Sequence, residues 1–510
     1  MTVDGQQSAM ELTPTSEIRE HLGGDTIVED GKMGPCDGLP TDRSGGADET
    51  SRSPTQATAE REAMLDVAHQ AASRYSKSLD ARAVMPTETA IAALAGFKEP
   101  LPANPSEGTA VIAELDRLGS PATVATTGGR FFGFVVGGAL PVTVAANWLA
   151  SVWDQNAGSW VLSPVAAELE AVAADWLLEL FDLPRDAHVG FVTGSTMGAF
   201  SAFAAARSAL LRRQGWDVKR RGLNGAPRIR IVTGDELHPT NLAALGYGGF
   251  GLDDVERVAT DAQGRVIPGA LPELDERTLV ILQAGNVNSG SFDPFASICA
   301  KTRAAGAWVH VDGAFGLWAR ASRTARRLAD GVELADSWST DGHKWLNLPQ
   351  DSAIYACRDG AAVQDVFGVQ ATYLVQDARR QPNTFTPELS RRARGVEFWA
   401  ALKFLGRSGV EALVDRCCTH ARHFAAGLTA AGYEVLNEVV LNQVVFAGAD
   451  EATTKAALAR IQSSGVTWLG PTTWRGRYAM RISVSSWATT ADDVERSTAA
   501  MVAALRDLSV

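Results

Sequence analysis

Residues 189–213, VGFVTGSTMGAFSAFAAARSALLRR, predict a strand, a tight turn and a helix in succession. Val189–Thr193 is a short apolar run of strand length, and Thr196–Arg213 has the length and composition of a helix. Similar short runs downstream are predicted as strands: Arg228–Thr233, Leu279–Ala284 and Trp308–Asp312. A predicted helix, Phe295–Ala305, separates the last two. Strands that alternate with helical crossovers favour an α/β domain with a mostly parallel sheet.

The composition is that of an acidic protein with a large core. Hydrophobic residues make up 45% of the 510-residue chain, and the formal net charge is -12 with a pI near 5.3. The sequence has no basic cluster, membrane-length apolar run or signal peptide, so neither nucleic acid nor a membrane is expected as a partner. The adjacent Cys417 and Cys418 cannot form an ordinary disulfide with each other, and no metal-ligand spacing is present. A reduced, cytoplasmic location is therefore predicted.

The stretch Ser339–Trp345 carries a lysine in an unusual setting. Leu334–Ser339 alternates like a short strand, and Ser352–Cys357 is predicted as another. Lys344 is therefore expected in a loop between two buried strands, where a solvated surface charge is less common. A lysine held against apolar walls becomes a usable amine nucleophile, able to form a Schiff base with a carbonyl group.

Four other stretches follow predicted strands, and ligands gather at the carboxyl ends of strands in open α/β sheets. The first is Thr193–Gly198. Its small residues allow backbone N–H groups at a helix start to bind an anion, but an ordinary strand–helix turn has the same composition. It matches neither a Walker motif nor a dinucleotide fingerprint, which argues against ATP and NAD.

The remaining three stretches each have a plainer explanation. Asp312, at the end of an apolar strand, needs a cationic or hydrogen-bonding partner, but a cap on the following segment would also explain it. His238 follows another strand and can stack on a ring, although a lone histidine is more often structural. Asn286 lies in a polar strand end that is otherwise a plain turn.

The five features together are more specific than any one of them. In chain order they are a phosphate-type turn, a histidine, an asparagine-rich turn, an aspartate at a strand end and a His-Lys pair. A phosphorylated pyridine aldehyde would use them all: the lysine forms the Schiff base, the aspartate pairs with the protonated ring nitrogen, and the turn takes the phosphate. Pyridoxal phosphate is thus the predicted cofactor.

From about Ala59 onward, the sequence resembles the pyridoxal-phosphate-dependent group II amino acid decarboxylases, such as the aromatic amino acid, glutamate and tyrosine decarboxylases. The motifs that carry the resemblance are Arg130-Phe131-Phe132, Ser163-Pro164, Gly194-Ser195-Thr196, His238, Val311-Asp312-Gly313-Ala314 and His343-Lys344-Trp345. The resemblance implies the fold-type I, aspartate-aminotransferase-like fold, with a mostly parallel central sheet, an N-terminal helical segment and a smaller C-terminal α+β domain. It also implies a homodimer with active sites at the subunit interface.

The resemblance assigns roles to individual residues. Lys344 would form the Schiff base, Asp312 would pair with the ring nitrogen, and His238 would stack on the ring and assist catalysis. Further cofactor contacts are implied for Gly194, Ser195, Thr196, Asn286, Ala314 and His343. Tyr373, in a mobile-loop motif, would protonate the substrate carbon, although a packed loop aromatic is the alternative. Substrate contacts are implied for Arg481, Phe132 and Phe134, and for Arg481 the alternative is a surface cation on a strand.

Two departures from the family pattern bear on the site. Gly128-Gly129 stands where many members have His-Pro, which affects the substrate entrance. Asp341-Gly342 stands where many have Asn-Pro before the His-Lys pair, which affects one phosphate contact.

The predicted organisation has four parts: a disordered tail over 1–58, a helical segment over 59–125, a large cofactor-binding domain over 126–394 and a small domain over 395–510. A mobile loop is predicted near 365–395. The predicted reaction is decarboxylation of an L-amino acid to the amine, with an aromatic or bulky substrate favoured over an acidic one. Transamination and aldehyde-forming oxidative decarboxylation are alternatives with the same cofactor. A catalytically inactive, cofactor-binding regulatory dimer is another, which the intact Lys344 argues against.

Overall fold

The computed structural model describes residues 53–368 and 379–508. The contacts divide the chain between Ala59 and Glu60, and the packing described below belongs to the second unit. Within the described residues, five α-helices precede the first strand: α1 (Pro54–Ser78), α2 (Glu88–Ala93), α3 (Gly108–Ala122), α4 (Pro141–Trp153) and α5 (Pro164–Leu180). The helix predicted from Ala59 in fact begins at Pro54, since proline suits the first helical turn. The rest of the predicted tail, residues 1–52, lies outside the described residues.

Helix α5 begins as the sequence predicts. Ser163 is its N-cap, and the Ser163 hydroxyl accepts a hydrogen bond from the Ala166 amide at 3.2 Å. Helix α4 was not predicted, because its large apolar side chains lie on its exposed face and give no clear helical period. Its exposed side chains include Trp148, Leu149 and Val152.

The large domain contains seven strands and five α-helices between residues 188 and 367. In chain order they are β1 (His188–Val192), α6 (Ser195–Arg213), α7 (Val218–Arg221), β2 (Arg230–Gly234), α8 (Pro239–Tyr247), β3 (Val255–Val258), β4 (Thr278–Gln283), α9 (Phe295–Ala304), β5 (Trp308–Asp312), β6 (Ser337–Asp341), β7 (Ala353–Cys357) and α10 (Gly360–Phe367). The sequence predicts most of these elements but misses β3, α7, α8 and α10. Strand β3 has two exposed residues at its centre, which weakens the apolar signal.

These strands form one sheet in the order β1-β7-β6-β5-β4-β2-β3. Strands β2 to β6 run parallel wherever they pair, and only β7 is antiparallel to its neighbours β6 and β1. The predicted α/β fold with a mostly parallel sheet is confirmed. Because β1, β2, β4, β5 and β6 share one direction, their carboxyl ends meet at one edge, and every predicted cofactor residue follows or ends one of these strands.

The C-terminal part contains α11 (Gly395–Ala430), β8 (Glu434–Val435), β9 (Gln443–Ala447), α12 (Glu451–Ser463), β10 (Gly470–Trp474), β11 (Arg477–Ser483) and α13 (Ala491–Arg506). Its four strands form an antiparallel sheet in the order β10-β11-β9-β8. The two helices predicted over residues 395–431 are the two halves of α11, which breaks at Gly406, where φ is 60°. Over the described residues, no helix combines the length and the apolar character needed to cross a membrane.

Candidate active site

A cavity of about 380 Å³ opens at the carboxyl edge of the large sheet. Eight of the nine predicted cofactor residues line it: Gly194, Ser195, Thr196, His238, Asp312, Ala314, His343 and Lys344. Two of the predicted substrate residues, Arg481 and Phe134, line it as well. The structure therefore brings together side chains from β5, from the turns after β1, β2 and β6, and from the small domain.

Lys344 lies in the loop after β6, as the sequence predicts, but its amine is not held against apolar walls. Its Nζ is 2.8 Å from Oδ2 of Asp341, and the Asp341 side chain is only 2% exposed. The expectation of an apolar environment was wrong, because the last residue of β6 supplies a buried counter-ion three positions before the lysine. The contact with this loop also explains why position 137, in the glycine-rich stretch 130–138 before α4, is a glycine. A Cβ atom on Gly137 would lie 1.9 Å from the carbonyl oxygen of Lys344, so only glycine fits there.

The turn between β1 and α6 is built as an anion site. Gly194 is the N-cap of α6 and provides no side-chain cap, so the first amides of the helix depend on other groups. The Ser195 amide donates to Oδ1 of Asp341 at 2.7 Å. The Ser195 hydroxyl oxygen is buried and has no hydrogen-bond partner within the described part of the chain. A free hydroxyl at the positive end of a helix suits a phosphate oxygen.

Asp312 is held in place by two donors. Its Oδ2 accepts a hydrogen bond from the Asn241 side-chain amide at 2.7 Å, and its Oδ1 accepts one from the Ala314 amide at 3.0 Å. Asp312 does not cap the short 3-10 helix Gly316–Ala321, whose N-cap is Phe315, but its bond to the Ala314 amide does cap the turn that follows the strand. Asn241 was missed, because nothing in the sequence connects a residue of α8 with a strand end 71 positions away.

His238 is the N-cap of α8, so the structural explanation of this residue holds alongside its place in the cavity. Its Nδ1 accepts a hydrogen bond from the Thr240 amide and lies 2.7 Å from the Thr240 hydroxyl. Burial lowers the pKa of His238, and the charges of Lys344 and Arg481 lower it further against the opposing effect of Asp312. The imidazole is therefore neutral near pH 7, and its ring lines the cavity.

Arg481 reaches the cavity from β11 of the small domain. Its Nη1 donates to the Val287 carbonyl oxygen at 3.0 Å, and burial lowers its pKa to about 10. It remains a cation at neutral pH, and the surface alternative does not apply to a largely buried guanidinium.

Three sequence predictions are not matched by the cavity. Phe132 is 1% exposed and packs against Phe424 in the core, whereas Phe134 is exposed. Asn286 is also not on the wall, because its side-chain oxygen caps its own turn by accepting from the Asn288 and Ser289 amides. Tyr373 and its loop motif lie outside the described residues, so its role stays a prediction.

These groups fit pyridoxal phosphate. An amine, a carboxylate held by two donors and a helix start with a buried free hydroxyl face one cavity, and the small Ala314 side chain leaves room for a flat ring. The family description "Pyridoxal-dependent decarboxylase conserved domain" matches residues 94–448. The chain belongs to this family. The predicted cofactor is confirmed by the family, whose members are lyases that depend on pyridoxal phosphate.

The chain is similar to proteins that are named as decarboxylases of different amino acids. The mouse (Mus musculus) acidic amino acid decarboxylase GADL1 is 28% identical over 64% of this chain and 61% of its own length. The Oryza sativa subsp. japonica tryptophan decarboxylase 1 is 26% identical over 70% of this chain and 76% of its own. The Rhizobium meliloti L-2,4-diaminobutyrate decarboxylase is 29% identical over 82% of this chain and 87% of its own length. The matches to GADL1 of mouse and of Xenopus tropicalis span less than two thirds of those proteins, 61% and 64%.

The solved structures confirm the fold. The Oryza sativa TDC structure with PLP and tryptamine has a TM-score of 0.82 and 22% identity, over 90% of this chain and 100% of that one. The mouse CSAD structure has a TM-score of 0.79 and 21% identity, over 89% and 99%. The predicted fold-type I architecture of the pyridoxal-phosphate decarboxylases is therefore confirmed.

Proposed function

We propose that this family member is an L-amino-acid decarboxylase, which converts its substrate to the amine and carbon dioxide. The observation that carries the proposal is the convergence of Lys344, Asp312 and His238 on one cavity. A regulatory dimer that only binds the cofactor would use the same amine and carboxylate, but it would have no need for the Arg481 cation that lines the same cavity.

The bound cofactor would supply a pyridine ring that accepts the electron pair of the broken bond between Cα and the carboxylate. The chain's own residues would hold and orient the reactants. Lys344 would hold the cofactor through its Nζ, and Asp312 would keep a proton on the ring nitrogen through Oδ1 or Oδ2. Asn241 and the Ala314 amide fix that carboxylate, so the proton would be held at a defined point.

Two further residues would act on the substrate. The Arg481 guanidinium, which stays charged in the cavity, would bind a carboxylate oxygen. Tyr373 would donate a proton to Cα after carbon dioxide leaves, from a loop that closes over the site and excludes water. His238, neutral and facing the same cavity, would assist that transfer.

An aromatic or otherwise bulky substrate remains our proposal over an acidic one. Phe134, Val135, Val287 and Phe315 give the cavity an apolar side. Among the described residues that line it, Arg481 is the one cation besides Lys344, and the substrate's own carboxylate would occupy it. An acidic side chain would then face apolar walls without a partner, which is unfavourable.

We also propose a homodimer in a reduced, cytoplasmic setting. Helix α4 leaves a row of large apolar side chains exposed, with Leu149 at 53% and Val152 at 59%, and surfaces of this kind usually bind another protein surface. Light scattering of the purified protein tests the dimer. The four cysteines within the described residues are buried and unpaired, which supports a reducing compartment.

A screen of amino acids for released carbon dioxide, with identification of the organic product, tests the proposed reaction. We expect an amine in equal amount to carbon dioxide. Lys344→Ala should abolish both the release and the visible absorbance of the bound cofactor, whereas Lys403→Ala, on the exposed side of α11, should change neither. A keto acid or an aldehyde as the main product would instead favour transamination or oxidative decarboxylation, and no turnover of any amino acid would contradict the proposal.

A further inference from the structure

The anion site at the start of α6 already contains an anion that belongs to the protein. Asp341 ends β6 with its side chain 2% exposed. Its Oδ1 accepts the hydrogen bond of the Ser195 amide at 2.7 Å, and its Oδ2 is 2.8 Å from the Lys344 amine. The amide that would bind a phosphate oxygen therefore already has a partner, and so does the amine that would hold the cofactor.

The charges around Asp341 keep it ionised. Burial by itself would raise the pKa of Asp341, but Lys344, His343 and the hydrogen bonds from Lys344 and Ser195 outweigh burial and lower it. Nε2 of His343 lies 3.8 Å from Oδ1, and burial lowers the pKa of His343 against the opposing effect of Asp341. Across the cavity the other charged or titratable groups are Asp312, His238 and Arg481.

A phosphate that enters this turn would meet a fixed negative charge within a few ångströms. Two like charges at about 4 Å repel strongly near a protein surface, where the effective dielectric constant is about 20. Lys344 offsets part of that charge at Oδ2, but Oδ1 lies on the amide that the phosphate would use. The buried, unpartnered hydroxyl of Ser195 remains available to the phosphate, so the turn can still accept it.

We propose that Asp341 competes with the phosphate of pyridoxal phosphate for the start of α6, so that the phosphate adds little to binding and the cofactor is held reversibly. The proposal rests on the cofactor of the proposed function but does not depend on the reaction. It makes Asp341 a determinant of cofactor affinity. The alternative is a purely structural role, in which Asp341 only caps α6 and positions Lys344.

The test measures the contribution of the phosphate alone. Pyridoxamine 5′-phosphate and pyridoxamine differ by the phosphate, and neither has the aldehyde that reacts with Lys344. Their dissociation constants for the full chain, freed of cofactor, are measured by calorimetry. In the wild type we expect the phosphate to tighten binding less than tenfold. Asp341→Asn keeps the side-chain shape and removes the charge, so in this variant we expect the phosphate to tighten binding at least a hundredfold. In Asp341→Ala the phosphate should also tighten binding more than it does in the wild type.

The matched control is Asp336→Asn. Asp336 immediately precedes β6, at the opposite end of the strand from Asp341, and its carboxylate accepts from the Val309 amide at 2.7 Å. In this variant the ratio of the two dissociation constants should equal that of the wild type. If the phosphate tightens binding to the wild type a hundredfold or more, the proposal is overturned, even if the Asp341 variants do not fold. Weaker binding of pyridoxamine 5′-phosphate by Asp341→Asn than by the wild type would overturn it as well. Carbon dioxide release is measured separately, so failure of the proposed reaction would not alter this result.

Discussion

Glu170 on α5 offers a sharp test of how the chain after residue 378 is anchored. Its side chain is fully buried, and its Oε1 is 2.6 Å from Nη2 of Arg391, which is 1% exposed. Its Oε2 is 3.5 Å from Nε of Arg380, which is 14% exposed. Both arginines also donate to carbonyl oxygens of the edge strand β1, at Phe191 and Val189. One carboxylate therefore balances two cations that attach residues 380–391 to the sheet.

Glu170→Gln should lower the free energy of unfolding by about 3–5 kcal/mol, because it leaves buried guanidinium groups without a counter-charge. The amide can still accept one hydrogen bond, so the loss comes mainly from charge and not from shape. Urea unfolding followed by tryptophan fluorescence and far-ultraviolet circular dichroism measures the change. Glu168→Gln is the matched control, because Glu168 lies two residues before Glu170 on the same helix but is exposed. This variant should change the free energy of unfolding by less than about 0.5 kcal/mol.

A double variant separates charge imbalance from lost packing. Glu170→Met combined with Arg391→Met removes both members of the closest ion pair, so it should destabilise the protein by less than the sum of the single changes. If Glu170→Gln cost less than about 1 kcal/mol, or if the double variant were simply additive, the argument that this carboxylate balances the two arginines would be refuted.

Three further predictions concern the site and the core. Asp312→Asn should slow turnover at least a hundredfold, about 2.7 kcal/mol of barrier, because the ring nitrogen would lose its proton; near-normal turnover would reduce Asp312 to a local support. Tyr373→Phe should yield less amine and more aldehyde per carbon dioxide released. If this variant forms amine at the wild-type rate and no aldehyde, another residue is the proton donor. Burial lowers the pKa of His310 to about 4 from 6.5, so the folded state resists protonation and loses stability as pH falls from about 6.5 toward 4. His310→Gln should therefore flatten the fall of the urea midpoint over that range, and an unchanged fall would contradict this.

The sequence predicts those parts of the fold whose signals are local. Trp308–Asp312 is found as predicted, because an apolar run bounded by turn residues needs no distant partner to be recognised. Helix α8 was missed, because Pro239 and the histidine before it suggest a turn as readily as a helix start. The strand order could not be predicted either. Strand β7 lies between β1 and β6, although 160 residues of chain separate β1 from it, and only tertiary packing selects that arrangement.

The site shows the same division between local and distant information. Lys344, Asp312 and His238 could be predicted, because each lies at or just after a strand end, and parallel strands bring such ends together. The partners that set their chemistry could not. Asn241 contacts Asp312 across 71 positions, and the Ser195 amide contacts Asp341 across 146. The sequence shows an aspartate before the His-Lys pair, but only the folded chain shows that its carboxylate lies between the phosphate turn and the lysine. The surrounding charges, which only the folded chain reveals, therefore decide what each of these residues does.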